Sequence, residues 1–416
     1  MSLHRDVMHI IHHAIDAVLP EHAVKEQLRK KPCEGRVILV SIGKAAWRMA
    51  RAAVDVLGDQ VAKGVVITKY EHSQGPIKKL SIWEAGHPLP DENSLKATSE
   101  ALEITENLSP RDQVLFLVSG GGSALFEKPK EGVSLKDFVD ITDQMLRCGA
   151  NIVEINMIRK RLSAVKGGRF AQWVNPAKVY TIVLSDVLGD RLDSIASGPA
   201  CPDVTTSRET LDILVRYNLT MPSRLLRVLE EETPKDLNNV ETFITGSVTT
   251  LCEKAAEKAT ELGYKTLILT TTLSCEAKDA GAFLASIARE ESEHSRPLQP
   301  PCAIILGGET VVHVKGKGKG GRNQEIALAA ALEMQNIAGV VLVSVGSDGT
   351  DGPTDAAGGI VDGTTAEKIR QSGFDPLALL ENNDAYHALQ RVDALVKTGP
   401  TGTNVNDLTV LLVKDV

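Results

Sequence analysis

A chain of 416 residues, 43% apolar and 24% charged with 34 glycines, is long enough for two or three domains. Its make-up is that of a globular α/β protein, not a disordered one. The net charge of -8 argues against a nucleic acid or an acidic membrane as partner, because phosphate backbones recruit basic surfaces, and any bound anion must be met by local cations. The six cysteines (Cys33, Cys148, Cys201, Cys252, Cys275 and Cys302) are widely spaced, with no Cys-x-x-Cys and no zinc-like histidine spacing, and read as reduced thiols. No basic segment followed by an apolar one opens the chain, and no apolar run approaches bilayer length, so a cytoplasmic location is expected.

Strand-length apolar runs recur at Arg36–Ile42, Gly64–Thr68, Gln113–Val118, Lys178–Leu184, Thr266–Thr270, Ala303–Leu306, Val340–Val345 and Leu408–Val413. Most are apolar throughout, as expected of parallel strands covered on both faces. Helical patterns alternate with them, among them Lys44–Leu57, Glu92–Asn107, Ser134–Arg147, opened by a Ser134…Asp137 capping pair, and Gln324–Met334. The fold class is therefore α/β. Two polar connectors, Glu230–Val240 and Arg289–Pro301, interrupt the rhythm. The first is taken as the boundary between domains 1–236 and 237–416.

Glycine-rich loops follow the strands, and ligands of open parallel sheets bind at the carboxyl ends of strands. Gly43-Lys44 stands where the first strand turns into a helix, a place that attracts anions and where a lysine adds a full charge. It is not a Walker A loop, since the preceding glycine is missing and Ala45 stands where the metal-binding hydroxyl would be. Ser119-Gly120-Gly121-Gly122-Ser123 can turn successive amides into one concavity suited to phosphate. Asp186, just past the strand ending at Leu184, suits a metal or a substrate hydroxyl, and Asp190 is a weaker candidate. His87, in Gly86-His87-Pro88, is expected to be structural.

In the second half, Gly307-Gly308-Glu309 leads to Lys315-Gly316-Lys317-Gly318-Lys319-Gly320-Gly321-Arg322. Gly316-x-Gly318-x-x-Gly321 matches the dinucleotide fingerprint, with a strand before it and a helix after it. Against that reading, such a loop holds a diphosphate through backbone amides, whereas this one interleaves three lysines and ends in an arginine, and Asp348 falls late for a ribose contact. Next comes Gly346-Ser347-Asp348-Gly349-Thr350-Asp351-Gly352-Pro353-Thr354-Asp355, a loop whose glycines lose backbone entropy and whose carboxylates repel. A metal-bound polyphosphate is the simplest compensation, because magnesium needs hard oxygen ligands. The last loop, Thr398–Asp407, is also compatible with a plain turn.

Taken in this order, these loops resemble the glycerate 2-kinases of the MOFRL type over essentially the whole chain. Val165-Lys166-Gly167-Gly168-Arg169, Gly320-Gly321-Arg322-Asn323-Gln324-Glu325 and Thr398-Gly399-Pro400-Thr401-Gly402-Thr403-Asn404-Val405-Asn406-Asp407 also fit that pattern. The one small departure is Phe126, where a leucine is expected. The resemblance implies a Rossmann-like amino-terminal domain with a parallel sheet, a smaller α/β carboxyl-terminal domain and a site in the cleft between them. It implies ATP-dependent phosphorylation of D-glycerate at its 2-hydroxyl with Mg²⁺ or another divalent cation. Lys44, Asp186, Glu309, Arg322, Asp348 and Asn404 are the positions carried over.

On this reading Lys44, Arg322, Asp186 and Asp348 are catalytic. Gly120, Gly121, Gly122, Ser123 and Asn404 bind the nucleotide, and Glu309 and Asp348 are the metal ligands. Lys44 and Arg322 neutralise the moving phosphoryl, while Asp186 or Asp348 orients the hydroxyl and accepts its proton. D-glycerate is the expected small-molecule partner, with no nucleic acid or membrane, and assembly into a homo-oligomer is compatible with the sequence. A nicotinamide-dependent hydroxypyruvate reductase and a non-catalytic nucleotide sensor are the competing readings.

Overall fold

Two six-stranded sheets organise the chain in the computed structural model, which describes residues 2–414. The first contains β1 (Arg36–Ile42), β2 (Val61–Lys69), β3 (Leu80–Ala85), β4 (Asp112–Val118), β5 (Lys178–Leu184) and β6 (Val240–Gly246), in the order β3-β2-β1-β4-β5-β6. Its β3–β2, β2–β1, β1–β4 and β4–β5 junctions are parallel. Continuous apolar runs are needed here because helices cover both faces, so alternate residues of β1 and β4 enter different cores. Ile38, Val40 and Phe116 go to one, Val37, Leu39 and Leu115 to the other.

The second sheet contains β7 (Lys265–Leu273), β8 (Cys302–Gly308), β9 (Val340–Gly346), β10 (Gly358–Asp362), β11 (Leu395–Val396) and β12 (Asp407–Val413), in the order β11-β10-β9-β12-β8-β7. Only the β7–β8 junction is parallel, and β12 runs antiparallel to both its neighbours. The expectation that the all-apolar runs are parallel is therefore corrected for β9 and β12. A continuous apolar run reports burial on two faces, not strand direction.

The chain divides into two units: Pro20–Thr245, and everything from Gly246 onward together with the residues up to Leu19. This differs from the expected cut after residue 236 in two ways. The connector Glu230–Val240 is tied into the first unit, with Thr233 donating to Asp203 at 2.8 Å and the Ser207 amide donating to Glu232 at 2.7 Å. The opening helix, Leu3–Ala17, goes with the second unit: Tyr264 donates to Asp6 at 2.7 Å and Thr403 donates to the Val18 carbonyl at 2.9 Å.

Strands β3, β6, β10 and β11 have no counterpart among the expected runs. β3 and β6 lie at the edges of their sheet and are only partly buried, so they lack the apolar run. The helix Leu135–Arg147 begins as its sequence dictates, with the Ser134 hydroxyl accepting from the Asp137 amide at 3.1 Å and the Ser134 amide donating to Asp137 at 2.8 Å. No helix is long and apolar enough to cross a membrane among the described residues.

Candidate active site

Because β1, β4 and β5 run parallel in register, Ile42 beside Val118 and Val118 beside Val183, the loops that leave them are forced together. The Lys44 amide donates to the Gly120 carbonyl at 2.9 Å, and the Ala45 amide to the Ser119 hydroxyl at 3.1 Å. A β-carbon on Gly120 would lie 2.1 Å from Asp186 Oδ2, and one on Gly121 3.0 Å from the ring of His87 and 3.3 Å from Lys44 Cγ. Glycine at 120 and 121 is thus what lets a carboxylate, an imidazole and a lysine crowd onto one turn. Among the described residues no hydrogen bond within the protein claims the amides of Gly120 and Gly121, so both can donate to an anion.

His87, expected to be structural, sits in this cluster. Burial first, then the charges of Lys44 and Lys69, hold its imidazole below the usual range, so it is neutral at physiological pH. Its position at the tip of β3 became visible only once β3 was placed in the sheet. Ser123, expected to bind nucleotide, shares a 3.0 Å hydrogen bond with Ser197, whose hydroxyl donates to Asn156 at 3.1 Å.

In the second unit, antiparallel pairing brings the end of β8, the end of β9 and the start of β12 to one edge, with Asp407 opposite both Gly308 and Gly346. Arg322 is held there in a fork: Nε to Asp407 Oδ2 at 2.5 Å and Nη2 to Oδ1 at 3.0 Å, with Nη1 to Glu309 Oε1 at 3.1 Å. Asn406 donates to the other Glu309 oxygen at 3.2 Å. Burial opposes the Arg322 charge, but the hydrogen bonds and charge of Asp407 more than offset it and raise the guanidinium above its ordinary range. Burial pushes the Asp407 carboxyl up to about 6 against the pull of Arg322, leaving it ionised at neutral pH. Nothing in the sequence singles out Asp407 from the other acids of these loops. The structure makes it the main anchor of Arg322.

Asp348 stands beside this group, with Oδ1 accepting from the Thr350 amide at 2.9 Å. The loop bearing Asn404 is stitched to the same turn: the Thr401 amide donates to the Asp348 carbonyl at 3.1 Å and the Val405 amide to the Ser347 hydroxyl at 2.9 Å. Asn404 is exposed, and its Oδ1 accepts from the Asn406 amide at 3.4 Å.

The loop carrying the dinucleotide fingerprint is closed to such a ligand. Asn383 Oδ1 takes the amides of Lys315 and Gly316 at 2.8 and 2.9 Å, Asn382 those of Lys317 and Gly318 at 3.1 and 2.9 Å, and Asp384 that of Lys319 at 2.9 Å. A pyrophosphate would seat at the start of the following helix, Arg322–Glu333, and Asp351 fills that place by accepting the Asn323 and Gln324 amides at 3.2 and 2.9 Å.

Hard oxygen donors suited to Mg²⁺ are present, although among the described residues no three His, Cys, Asp or Glu side chains form a ready cage. Magnesium does not require one, since it commonly takes one or two carboxylates, substrate phosphates and water. Asp348 Oδ2 takes no hydrogen bond within the protein among the described residues, whereas both Glu309 oxygens are already engaged. The buried Asn406 Oδ1 lacks a partner beside Glu309 and adds a further neutral oxygen. The residues present fit the ion, with Asp348 as the better placed of the two expected ligands.

Fold and site together define a two-unit α/β protein with charged and glycine-rich loops gathered at strand ends in each unit. Residues 6–230 match the family described as a domain of unknown function, DUF4147, and residues 302–407 match the MOFRL family. The chain is 56% identical to a D-glycerate 2-kinase from Thermotoga maritima over 99% of both chains. It is also similar to the crystal structure of a glycerate kinase from Thermotoga maritima, with a TM-score of 0.97, 56% identity and 99% of each chain covered. A relative from Agrobacterium vitis, 37% identical over 96% of this chain and 92% of its own, bears the name putative hydroxypyruvate reductase. The chain belongs to the MOFRL-type glycerate 2-kinase family.

Proposed function

We propose that this protein transfers the γ-phosphoryl of ATP to the 2-hydroxyl of D-glycerate, releasing ADP and 2-phosphoglycerate. The observation that carries the reading is its end-to-end kinship with a D-glycerate 2-kinase. The gathering of the expected residues at strand ends supports it.

Phosphoryl transfer needs alignment and charge neutralisation more than covalent chemistry. In the first unit the amides of Gly120 and Gly121 and the ammonium of Lys44 take phosphoryl oxygens, and Asp186 orients the 2-hydroxyl and accepts its proton. The hydroxyl oxygen forms the new bond to the γ-phosphorus as the bond to the β–γ bridging oxygen breaks, and ADP leaves with that oxygen. In the second unit Arg322, pre-aimed by Asp407 and Glu309, supplies a rigid cation for phosphoryl oxygens or the glycerate carboxylate, and Asn404 supplies a nucleotide contact. Asp348 would hold Mg²⁺, and the ion would supply neutralisation of polyphosphate charge there.

Incubation with ATP and D-glycerate should give glycerate-dependent ADP formation and 2-phosphoglycerate as the product identified by NMR. Formation of 3-phosphoglycerate would overturn the regiochemistry. ATP binding without turnover would make the protein a sensor, and hydroxypyruvate-dependent oxidation of NADH or NADPH would make it a reductase. The closed fingerprint loop weighs against the last outcome.

A further inference from the structure

The second unit contains a cavity of about 470 Å³ beside the first turn of the helix Arg322–Glu333, outside the cluster around Arg322. That size suits a small organic ligand. Its walls include Glu325, Asn383, Lys315, His313, Leu377 and Leu380.

Glu325 is 3% exposed. One of its oxygens, Oε2, accepts from Asn383 Nδ2 at 3.1 Å, and the orientation of that amide is fixed because Asn383 Oδ1 takes the Lys315 and Gly316 amides. The other oxygen, Oε1, takes no hydrogen bond among the described residues, although the side chain lines the cavity. Oε1 opens onto the cavity, held in place through the Asn383 bond to Oε2 and available to a donor from a ligand. Glu276, the neighbouring carboxylate, is already engaged by Lys278 at 3.1 Å and His313 at 3.2 Å. Leu377 and Leu380 give apolar surface for a flat ring, and Lys315 brings a cation to the wall. Glu325 stands three positions after Arg322, so the two are neighbours on one helical turn.

We propose that this cavity seats the purine base of the nucleotide, with the exocyclic amine donating to Glu325 Oε1 and the ring lying against Leu377 and Leu380. The inference rests on the kinase reading and adds where the base binds. An ionic or purely apolar ligand would leave one kind of wall unused, whereas an aminopurine uses both. Guanine, which presents a carbonyl at the corresponding position, meets the carboxylate with like partial charge and is disfavoured.

Photolabelling of the full chain with 8-azido-ATP, followed by peptide mapping, should mark segments containing His313, Lys315 or Leu377, and excess ATP should suppress the label. Leu377 is 51% exposed, so Leu377→Trp can fill the cavity from its rim without disturbing the core. That variant should raise KM for ATP about tenfold while leaving KM for D-glycerate and kcat within about twofold. Purine riboside triphosphate, which lacks the amine, should be a poorer substrate than ATP for the wild type, and Glu325→Ala should shrink that gap. Label confined to other segments, together with an unchanged KM for ATP in Leu377→Trp, would overturn the inference while glycerate-dependent turnover kept the kinase reading intact. Absence of that turnover in the wild type would instead refute the kinase reading.

Discussion

Two of the glycine-rich loops that follow strands in this protein dispose of their backbone amides in opposite ways. At Gly120 and Gly121 no hydrogen bond among the described residues claims the amides, and the missing side chains admit Asp186, His87 and Lys44. At Gly316 and Gly318 the amides are given to Asn383 and Asn382, and a β-carbon would come within 2.1 Å of the Asn382 carbonyl or 2.4 Å of Asp384. Glycine spacing therefore says that something approaches the backbone closely. Whether that something is a ligand or another part of the chain is decided by where the amide hydrogens go.

The sharpest test of the open loop is Lys44→Ala, which removes a cation but none of the backbone bonds at the turn. It should fold normally and lose about 10³-fold in kcat, or roughly 4 kcal/mol of transition-state stabilisation. Near-wild-type turnover would take Lys44 out of the scheme. A matched pair of glycine substitutions comes next. Gly120→Ala should cost about 10²-fold in kcat by displacing Asp186, while Gly316→Ala should lower stability by about 2 kcal/mol yet leave kcat of the folded enzyme within about twofold. Thermal melts and turnover measured on the same samples separate the two effects, and equal losses of kcat would erase the contrast between the loops.

His87→Ala should lower kcat/KM by about tenfold, a loss that a purely structural histidine would show in the melting temperature instead. The smallest effect expected is a pH limb. Because burial raises the folded-state carboxyl of Asp407 to about 6, above its ordinary 3.8, acidification through pH 6 protonates it and releases Arg322 from its fork. Activity should fall through that limb, and the residual activity of Asp407→Asn should lack it. The stability term runs the other way: a group that binds its proton more tightly when folded adds stability as pH drops from about 6 toward 4.

The parts legible in sequence were those written in local chemistry. Continuous apolar runs revealed eight strands, the Ser134…Asp137 pair marked a helix start, and glycine, lysine and aspartate just past strand ends marked the loops that the fold gathers into the candidate site. The rest depends on contacts between distant residues. His87 reads as a loop histidine until β3 is laid beside β2. Ser123 gives no sign in sequence of its hydrogen bond to Ser197, and Asp407 is one acid among several until antiparallel pairing sets it between Gly308 and Gly346. The direction of β12 and the partner of the opening helix were likewise invisible, since neither leaves a periodic signature in the chain.

The placement of that opening helix has a consequence for how the protein is made. Its buried face, Val7, Ile10, Ile11 and Ala14, belongs with a unit otherwise built from Gly246 onward. During synthesis Pro20–Thr245 emerges before the chain from Gly246 onward and can fold as a unit. The helix Leu3–Ala17 meanwhile waits on the ribosome-bound chain with its apolar stripe unshielded, for on the order of ten seconds or more at ordinary elongation rates. A chaperone that clasps amphipathic segments would find its client there, and a fragment begun at Gly246 would leave the ribosome with the complementary groove uncovered.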